Sequence, residues 1–132
     1  MKRLTIALVL VAGLLPAPWA LAQLDARTST AAGVTVKITP KLVAADVPAW
    51  EFAVVLDSHV QDLTDDLLKT TVLLDGAGSR QSPSAWEGAA PGGHHREGLL
   101  RFEAMKPRPA ALELQIQRPG ESLPRSFRWD LK

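Results

Sequence analysis

The sequence predicts an all-β fold, an immunoglobulin-like β-sandwich of about seven strands. Three observations favour this class. Apolar and polar residues alternate with a period of two in several short segments, as they do in half-buried strands. Turn-forming Gly and Pro residues separate these segments at intervals of roughly 8 to 20 residues, and no segment shows a long helical period. A small β-barrel is the competing all-β interpretation, because the same alternation fits it.

The first two predicted strands differ in their patterns. Residues 33–40 alternate cleanly, with Val34, Val36 and Ile38 on one face, until Pro40 ends the run. Residues 50–56 are apolar on both faces after Glu51, which is typical of a central strand that is covered on both sides.

A hairpin is predicted next. Residues 70–74 are rich in β-branched residues and leucine, and the turn signal Asp75-Gly76-Ala77-Gly78 follows them. The second arm, residues 79–86, contains Pro83, so we expect it to lie at a sheet edge or to contain a bulge. Before this hairpin, Leu63 and Leu67 are four residues apart, which fits either a helical turn or a loop pinned by two leucines. Three further strands are predicted at residues 98–104, 112–117 and 127–132.

Residues 1–22 have the features of a secretory signal peptide. Lys2 and Arg3 precede an apolar run from Leu4 to Leu15, and small residues occupy the end of Ala20-Leu21-Ala22. The run is shorter than the ~20 residues that span a bilayer, and no Cys follows that could carry a lipid anchor. We therefore expect a periplasmic or secreted protein without a membrane span. We expect residues 23–32, which have no apolar period, to be a flexible leader to one domain over residues 33–132.

Composition excludes several functions. Without residues 1–22 the chain keeps 110 of its 132 residues, enough for one domain, with 13 basic and 14 acidic side chains. Nucleic acid is therefore not an expected partner, because phosphate binding needs a concentrated basic face. The chain contains no Cys, which excludes thiol chemistry and thiolate metal sites, and the core alone must hold the fold.

Strand direction predicts that the three histidines meet. If consecutive strands are antiparallel, the connections at residues 57–69, 87–97 and 118–124 lie at one end of the sandwich. His59, His94 and His95 fall in the first two connections, and Gly92-Gly93 supplies an irregular backbone on which adjacent imidazoles can face one ion. Imidazole and carboxylate are the expected ligands of Zn(II) or Cu(II) where thiolates are absent. The predicted candidate ligands are His59, His94, His95, Asp57 and Asp62.

The same residues also have simpler interpretations. A His-His pair after two glycines is an ordinary polar loop, and the aspartates after residue 56 lack the Gly and Glu of a calcium loop. Arg96 and Arg118 are candidate counter-charges for these aspartates. Trp86 and Arg96 are candidate partner-binding residues, although Trp86 could equally close the core at a strand end. No nucleophile-elbow motif is present, so we expect a protein that is not an enzyme.

Several segments resemble a group of uncharacterised exported prokaryotic single-domain proteins. They are Asp57-Ser58-His59, Trp86-Glu87-Gly88 and Pro91-Gly92-Gly93-His94-His95-Arg96. The resemblance covers the chain from Gly33 to its C-terminus, and it implies an exported single domain without implying a reaction.

Two functional hypotheses follow. In the first, a periplasmic non-enzymatic domain binds a divalent transition metal (Cu or Zn) or a partner protein through its histidine-bearing rim. In the second, the domain is a structural accessory module without a metal site, which docks onto an envelope assembly through an exposed sheet edge.

Overall fold

The computed structural model describes residues 24–131 together with Gly13. Gly13 apart, the predicted signal peptide lies outside the described residues. Within the described part, no helix is long and apolar enough to cross a bilayer. In chain order the strands are β1 (Arg27–Ala31), β2 (Val34–Leu42), β3 (Ala49–Ser58), β4 (Thr71–Leu74), β5 (Arg80–Gln81), β6 (Ala85–Gly88), β7 (His95–Glu103), β8 (Ala111–Ile116) and β9 (Arg125–Asp130), with a one-turn helix α1 (Leu67–Thr70) before β4.

The strands form two antiparallel sheets. One sheet has the order β1-β2-β3-β7-β6 and the other has the order β5-β4-β8-β9. Without β1, this arrangement corresponds to the two sheets of an immunoglobulin-type sandwich, with strands ABED in one sheet and CFG plus one more strand in the other. The predicted all-β sandwich is therefore confirmed.

The core lies between the sheets and is formed by alternate residues of the central strands. Trp50, Phe52, Val54 and Leu56 of β3 are fully buried. The ring of Phe52 packs 5.8 Å from that of Trp129 on the opposite sheet. Such inward-facing apolar residues recur on both sheets, and because the chain contains no Cys, this core stabilises the fold without disulfides.

The outer face of β3 is less covered than its sequence predicts. Ala53 and Val55 are only half-buried, as are Glu51 and Asp57 on the same face. The prediction that β3 is covered on both sides is wrong, because these residues lie on the outer face of the five-stranded sheet, which is open to solvent.

The predicted leader contains the first strand. Residues 27–31 form β1, which pairs with β2 from Arg27 opposite Ile38 to Ala31 opposite Val34. The interpretation of residues 23–32 as a flexible leader is therefore wrong over this strand. Hydrogen bonds from Arg125, nearly a hundred residues away, hold its backbone, and no local pattern reveals such a contact.

Pro83 divides the predicted second hairpin arm into two edge strands. β5 lies at the edge of the four-stranded sheet and β6 at the edge of the five-stranded sheet, so the chain changes sheets between them. This confirms the edge position that Pro83 predicts.

In the connection between β3 and β4, Leu63 and Leu67 are both buried, and helix covers only residues 67–70. Residues 59–66 therefore form a loop pinned by the two leucines.

Two glycines allow the indole of Trp86 to lie against the sheet. Gly88 and Gly98 are opposite each other on β6 and β7. A Cβ atom on Gly98 would lie 2.6 Å from the Gly88 Cα and 2.8 Å from the Trp86 ring. The spacing Trp86-x-Gly88, with Gly98 opposite, therefore serves close packing of backbone and indole.

Replacing Gly98 by Ala is expected to destabilise the domain by about 1–3 kcal/mol, because the new methyl group meets backbone atoms that cannot move without separating β6 from β7. Urea unfolding followed by tryptophan fluorescence measures the change. Glu103→Ala, at an exposed position of the same strand, is the control and should stay within about 0.5 kcal/mol of the wild type. Equal midpoints for the two variants would contradict the packing argument.

Candidate functional site at the loop-bearing end

Three loops meet at one end of the sandwich, as strand direction predicts. We call this the loop-bearing end; it consists of residues 59–66, 89–94 and 117–124. The Leu63 amide donates to the Gly93 carbonyl at 2.9 Å, and the Gly92 amide donates to the Leu63 carbonyl at 2.8 Å. These reciprocal backbone bonds join the first two loops, and an ion pair joins the third loop to them.

The ion pair connects Asp65 with Arg118 and is removed from solvent. The side chain of Asp65 is 0% exposed and that of Arg118 is 1% exposed. Arg118 donates from Nε to Oδ2 at 3.1 Å and from Nη2 to Oδ1 at 2.9 Å. This two-bond geometry is the strongest form of an arginine–carboxylate contact, and it connects the loop after β3 to the loop after β8.

A second carboxylate extends the network to the turn between β1 and β2. Glu121 accepts from Nη1 of Arg118 at 3.2 Å and from Nε and Nη2 of Arg125, each at 2.8 Å. The hydrogen bonds from Arg125 lower the pKa of the Glu121 carboxyl, and the Arg118 bond acts in the same direction. Arg125 also donates to the carbonyls of Ala31 and Val34, each at 2.9 Å.

Arg96 holds the first two loops together from the inside. Its side chain is buried and donates to the Asp65 carbonyl at 2.8 Å, the Leu63 carbonyl at 3.3 Å and the Ala89 carbonyl at 3.2 Å. Burial lowers the pKa of Arg96, and the nearby carboxylates of Asp65 and Asp66 oppose that effect. The predicted partner-binding role of Arg96 is wrong, because a side chain that is 1% exposed offers no surface to a partner.

Trp86 lies beside Arg96 and is half-buried. The Arg96 guanidinium carbon lies 5.8 Å from the centre of the Trp86 ring, within the range of a cation–π contact. The indole donates to the Ala89 carbonyl at 3.0 Å and packs against the core. This packing fits the interpretation in which Trp86 closes the core at a strand end, and its partner-binding role stays a prediction.

The adjacent histidines pair with different carboxylates. His95 is the first residue of β7 and is opposite Asp57, and its Nδ1 lies 2.5 Å from Asp57 Oδ1. His94 precedes the strand, and its Nε2 lies 3.5 Å from Asp62 Oδ1. The expectation that the two imidazoles face one ion is wrong, because the backbone is already regular at His95 and neighbouring side chains of a strand point to opposite faces.

The five predicted metal ligands do not form one coordination sphere. Within residues 24–131, no group of three or more His, Asp or Glu side chains is placed to hold a metal ion. Ser58, next to His59, is hydrogen-bonded through its amide to the His94 carbonyl at 2.8 Å, so the histidine-bearing segments do meet. Their side chains, however, are arranged as separate imidazole–carboxylate pairs.

The outer surface of the loop-bearing end is apolar and acidic. Val60 is 66% exposed and Leu123 is 76% exposed. The carboxylate of Asp62 is 69% exposed, and so is that of Glu97 near the adjoining start of strand β7. Val60 also packs over the turn between β1 and β2, where a Cβ atom on Gly33 would lie 2.5 Å from its Cγ2 and where the φ of +75° suits glycine.

Sequence reasoning missed the central role of Asp65. Within residues 63–67, buried and exposed residues alternate, and Asp65 shares the buried face with Leu63 and Leu67. The spacing of Asp65, two residues from each leucine, was the signal in the sequence that could have revealed its burial. It places a carboxylate at an inward position, where it requires a cationic partner. Arg118 was among the predicted counter-charges, and the structure confirms that pairing.

No family model, curated protein or solved structure matches this chain.

Asp65→Ala is expected to lower the free energy of unfolding by about 3–5 kcal/mol, because it leaves the buried Arg118 guanidinium without its carboxylate. Chemical unfolding measures this loss, and Asp65→Asn, which keeps the shape and one acceptor, should lose less. The neighbouring Asp66→Ala is the control. Asp66 is exposed and lies 3.7 Å from Lys69, and such a surface pair contributes about 0–1 kcal/mol. Similar losses for the two alanine variants would refute a special role of the buried pair.

His95 is expected to titrate above its usual range. The hydrogen bond with Asp57 raises the pKa of His95, and the contact with Glu97 adds to the effect. Since the folded-state pKa lies above the unfolded value of about 6.5, this pair stabilises the fold fully below that pH, and the contribution is lost as pH rises through the folded-state value. NMR titration of the His95 ring should show a lower pKa in Asp57→Asn.

The thermal unfolding of the same variants tests the sign of this linkage. The difference in Tm between wild type and Asp57→Asn should be larger at about pH 5.5 than at about pH 8. His95→Gln supplies the control, since in that background Asp57→Asn should have no such pH-dependent effect. A Tm difference that grows towards high pH would contradict the assignment.

Proposed function

We propose that this chain is an exported, non-enzymatic binding domain that binds a partner protein through its loop-bearing end. The observation that carries the proposal is the buried network of Asp65, Arg118, Glu121 and Arg125, which joins two of the three loops to the turn between β1 and β2. Arg96 connects the third loop through the Ala89 carbonyl. Burying several charges is unfavourable unless every one is paired, so this network strongly restricts the loop conformations. Loops that are ordered before association lose less conformational entropy when a partner binds.

The surface above that network has the chemistry of a protein-binding site. Val60 and Leu123 present apolar side chains to solvent, and exposed imidazole–carboxylate pairs lie in the same loops and at the adjoining start of β7. Protein interfaces commonly combine apolar contacts with a polar, hydrogen-bonding rim. In immunoglobulin domains, loops at one end of the sandwich also form the binding surface. The proposed partner is an envelope protein, met in the periplasm or outside the cell.

Export is the part of the proposal that rests on the sequence alone. Residues 1–22 combine a cationic start, an apolar run and a small-residue cleavage motif. A divalent metal does not enter the proposal, because the candidate donors divide between two separate carboxylate pairs.

The other hypothesis, docking through a sheet edge, receives less support. The carbonyls of Ser29 and Ala31 on edge strand β1 already accept hydrogen bonds from Arg125. On edge strand β9 of the other sheet, the Arg128 carbonyl already accepts one from Arg27. On the opposite side, edge strands β5 and β6 contain only two and four residues. Short or already bonded edges are poor templates for strand addition.

Site-specific photo-crosslinking tests the proposal. A photoreactive amino acid at Val60 or Leu123 of the full chain, produced in its native host, should give one discrete adduct with an envelope protein. Val60→Asp together with Leu123→Asp should remove the complex and cost at most about 1 kcal/mol of stability, since both side chains are mostly exposed, although Val60 packs on the turn between β1 and β2.

The matched control is the same photoreactive residue at Lys106, which is exposed in the β7–β8 connection at the opposite end. Equal crosslinking from Lys106, or crosslinking from Lys106 alone, would show that the loop-bearing end is not the binding surface.

A further inference from the structure

The outer face of the four-stranded sheet carries an open groove of about 510 Å³. The volume falls within the usual range of ligand sites. Val72 of β4 and Gln115 of β8 are paired across the sheet and form part of its floor, and Thr70 and Gln117 contribute beside them. Gln117 and Pro124 of the lining belong to the loop-bearing end, but Val60 and Leu123 do not line the groove. An inference about the groove therefore does not depend on the proposed function, which rests on Val60 and Leu123.

Hydrogen-bonding groups dominate the lining. The Gln115 amide donates to the Glu113 carboxylate at 3.0 Å, and the Gln117 amide donates to the Glu121 carbonyl at 2.6 Å. These bonds orient the two side chains and leave the amide oxygens as acceptors. The Thr70 hydroxyl donates to the Asp66 carbonyl at 2.9 Å, and it keeps its own acceptor capacity.

Two cationic side chains lie along the same groove. Arg80 of β5 is exposed and makes no ion pair with any described residue. Lys69 of α1 is 84% exposed, and its only described ion-pair partner is Asp66 at 3.7 Å, a separation that leaves most of its donors available. The groove therefore offers positive charge beside neutral hydrogen-bonding groups.

We propose that this groove is a second binding site, which takes an acidic oligosaccharide. Hydroxyl groups of a sugar both donate and accept, which suits the amide oxygens of Gln115 and Gln117 and the hydroxyl of Thr70. Sugar carboxylates suit the guanidinium of Arg80 and the ammonium of Lys69. The half-buried side chain of Val72 offers an apolar floor for the C–H face of a sugar ring.

NMR titration of the purified protein with oligogalacturonate tests the proposal. Saturable shifts are expected at the amides of residues 70–72, 80–82 and 115–117, and they should weaken as salt is added. Arg80→Gln combined with Lys69→Gln should weaken binding about tenfold or more, since each charged hydrogen bond contributes more than a neutral one. Lys37→Gln, which removes an exposed cation from the other sheet, is the matched control and should bind like wild type.

Four outcomes would overturn the proposal, and the first three concern the sugar itself. They are the absence of saturable shifts, an affinity that Arg80→Gln and Lys69→Gln leave unchanged, and equal affinity for a neutral maltooligosaccharide. Poly-L-glutamate that binds as tightly as oligogalacturonate would also overturn it, because the groove would then recognise charge on a peptide. The Val60→Asp and Leu123→Asp variant should retain sugar binding, which separates this result from the outcome of the crosslinking experiment.

Discussion

A carboxylate that is removed from solvent must be paired with donors from the protein, and the buried Asp65 imposes this requirement on the whole loop-bearing end. Its partner Arg118 is buried in turn and needs a further acceptor, which Glu121 supplies. Glu121 also binds Arg125, whose remaining donors reach backbone carbonyls at the turn between β1 and β2. Removing any one of these four side chains would leave a neighbouring buried charge without its partner. The loops therefore adopt the arrangement in which every one of these charges is paired.

A second buried charge at the loop-bearing end, that of Arg96, is also satisfied by protein groups. Arg96 has no carboxylate within hydrogen-bonding distance among the described residues, so three loop carbonyls and the face of Trp86 surround its charge. That arrangement requires the indole to lie close to the sheet, which Gly88 and Gly98 permit. Tryptophan, arginine and the paired glycines therefore form one packing unit.

Local patterns in the sequence predicted the sandwich well, because strand alternation has a period of two and turn residues punctuate it. The antiparallel direction of consecutive strands was then enough to predict that residues 59–66 and 89–94 lie at the same end of the sandwich. The sequence could not show the burial of Arg96, since arginine is usually exposed, and its acceptors are carbonyls that any residue could supply. It also failed at β1, whose Thr and Ser residues are held by a side chain from the other end of the chain. The prediction places both histidines in an irregular loop, but strand β7 already begins at His95. His94 and His95 therefore pair with different carboxylates.

The first and last strands are joined along one side of the sandwich. The indole of Trp129 donates to the Asp25 carbonyl at 2.7 Å across 104 residues of sequence, and Arg27 donates to the Arg128 carbonyl at 3.1 Å. A chain synthesised from its N-terminus cannot close this seam until its final strand is present, and closing so long a loop carries an entropic penalty. Once the seam is closed, fraying of β1 or β9 requires breaking the bonds to the other strand, so each of the two strands protects the other from local unfolding.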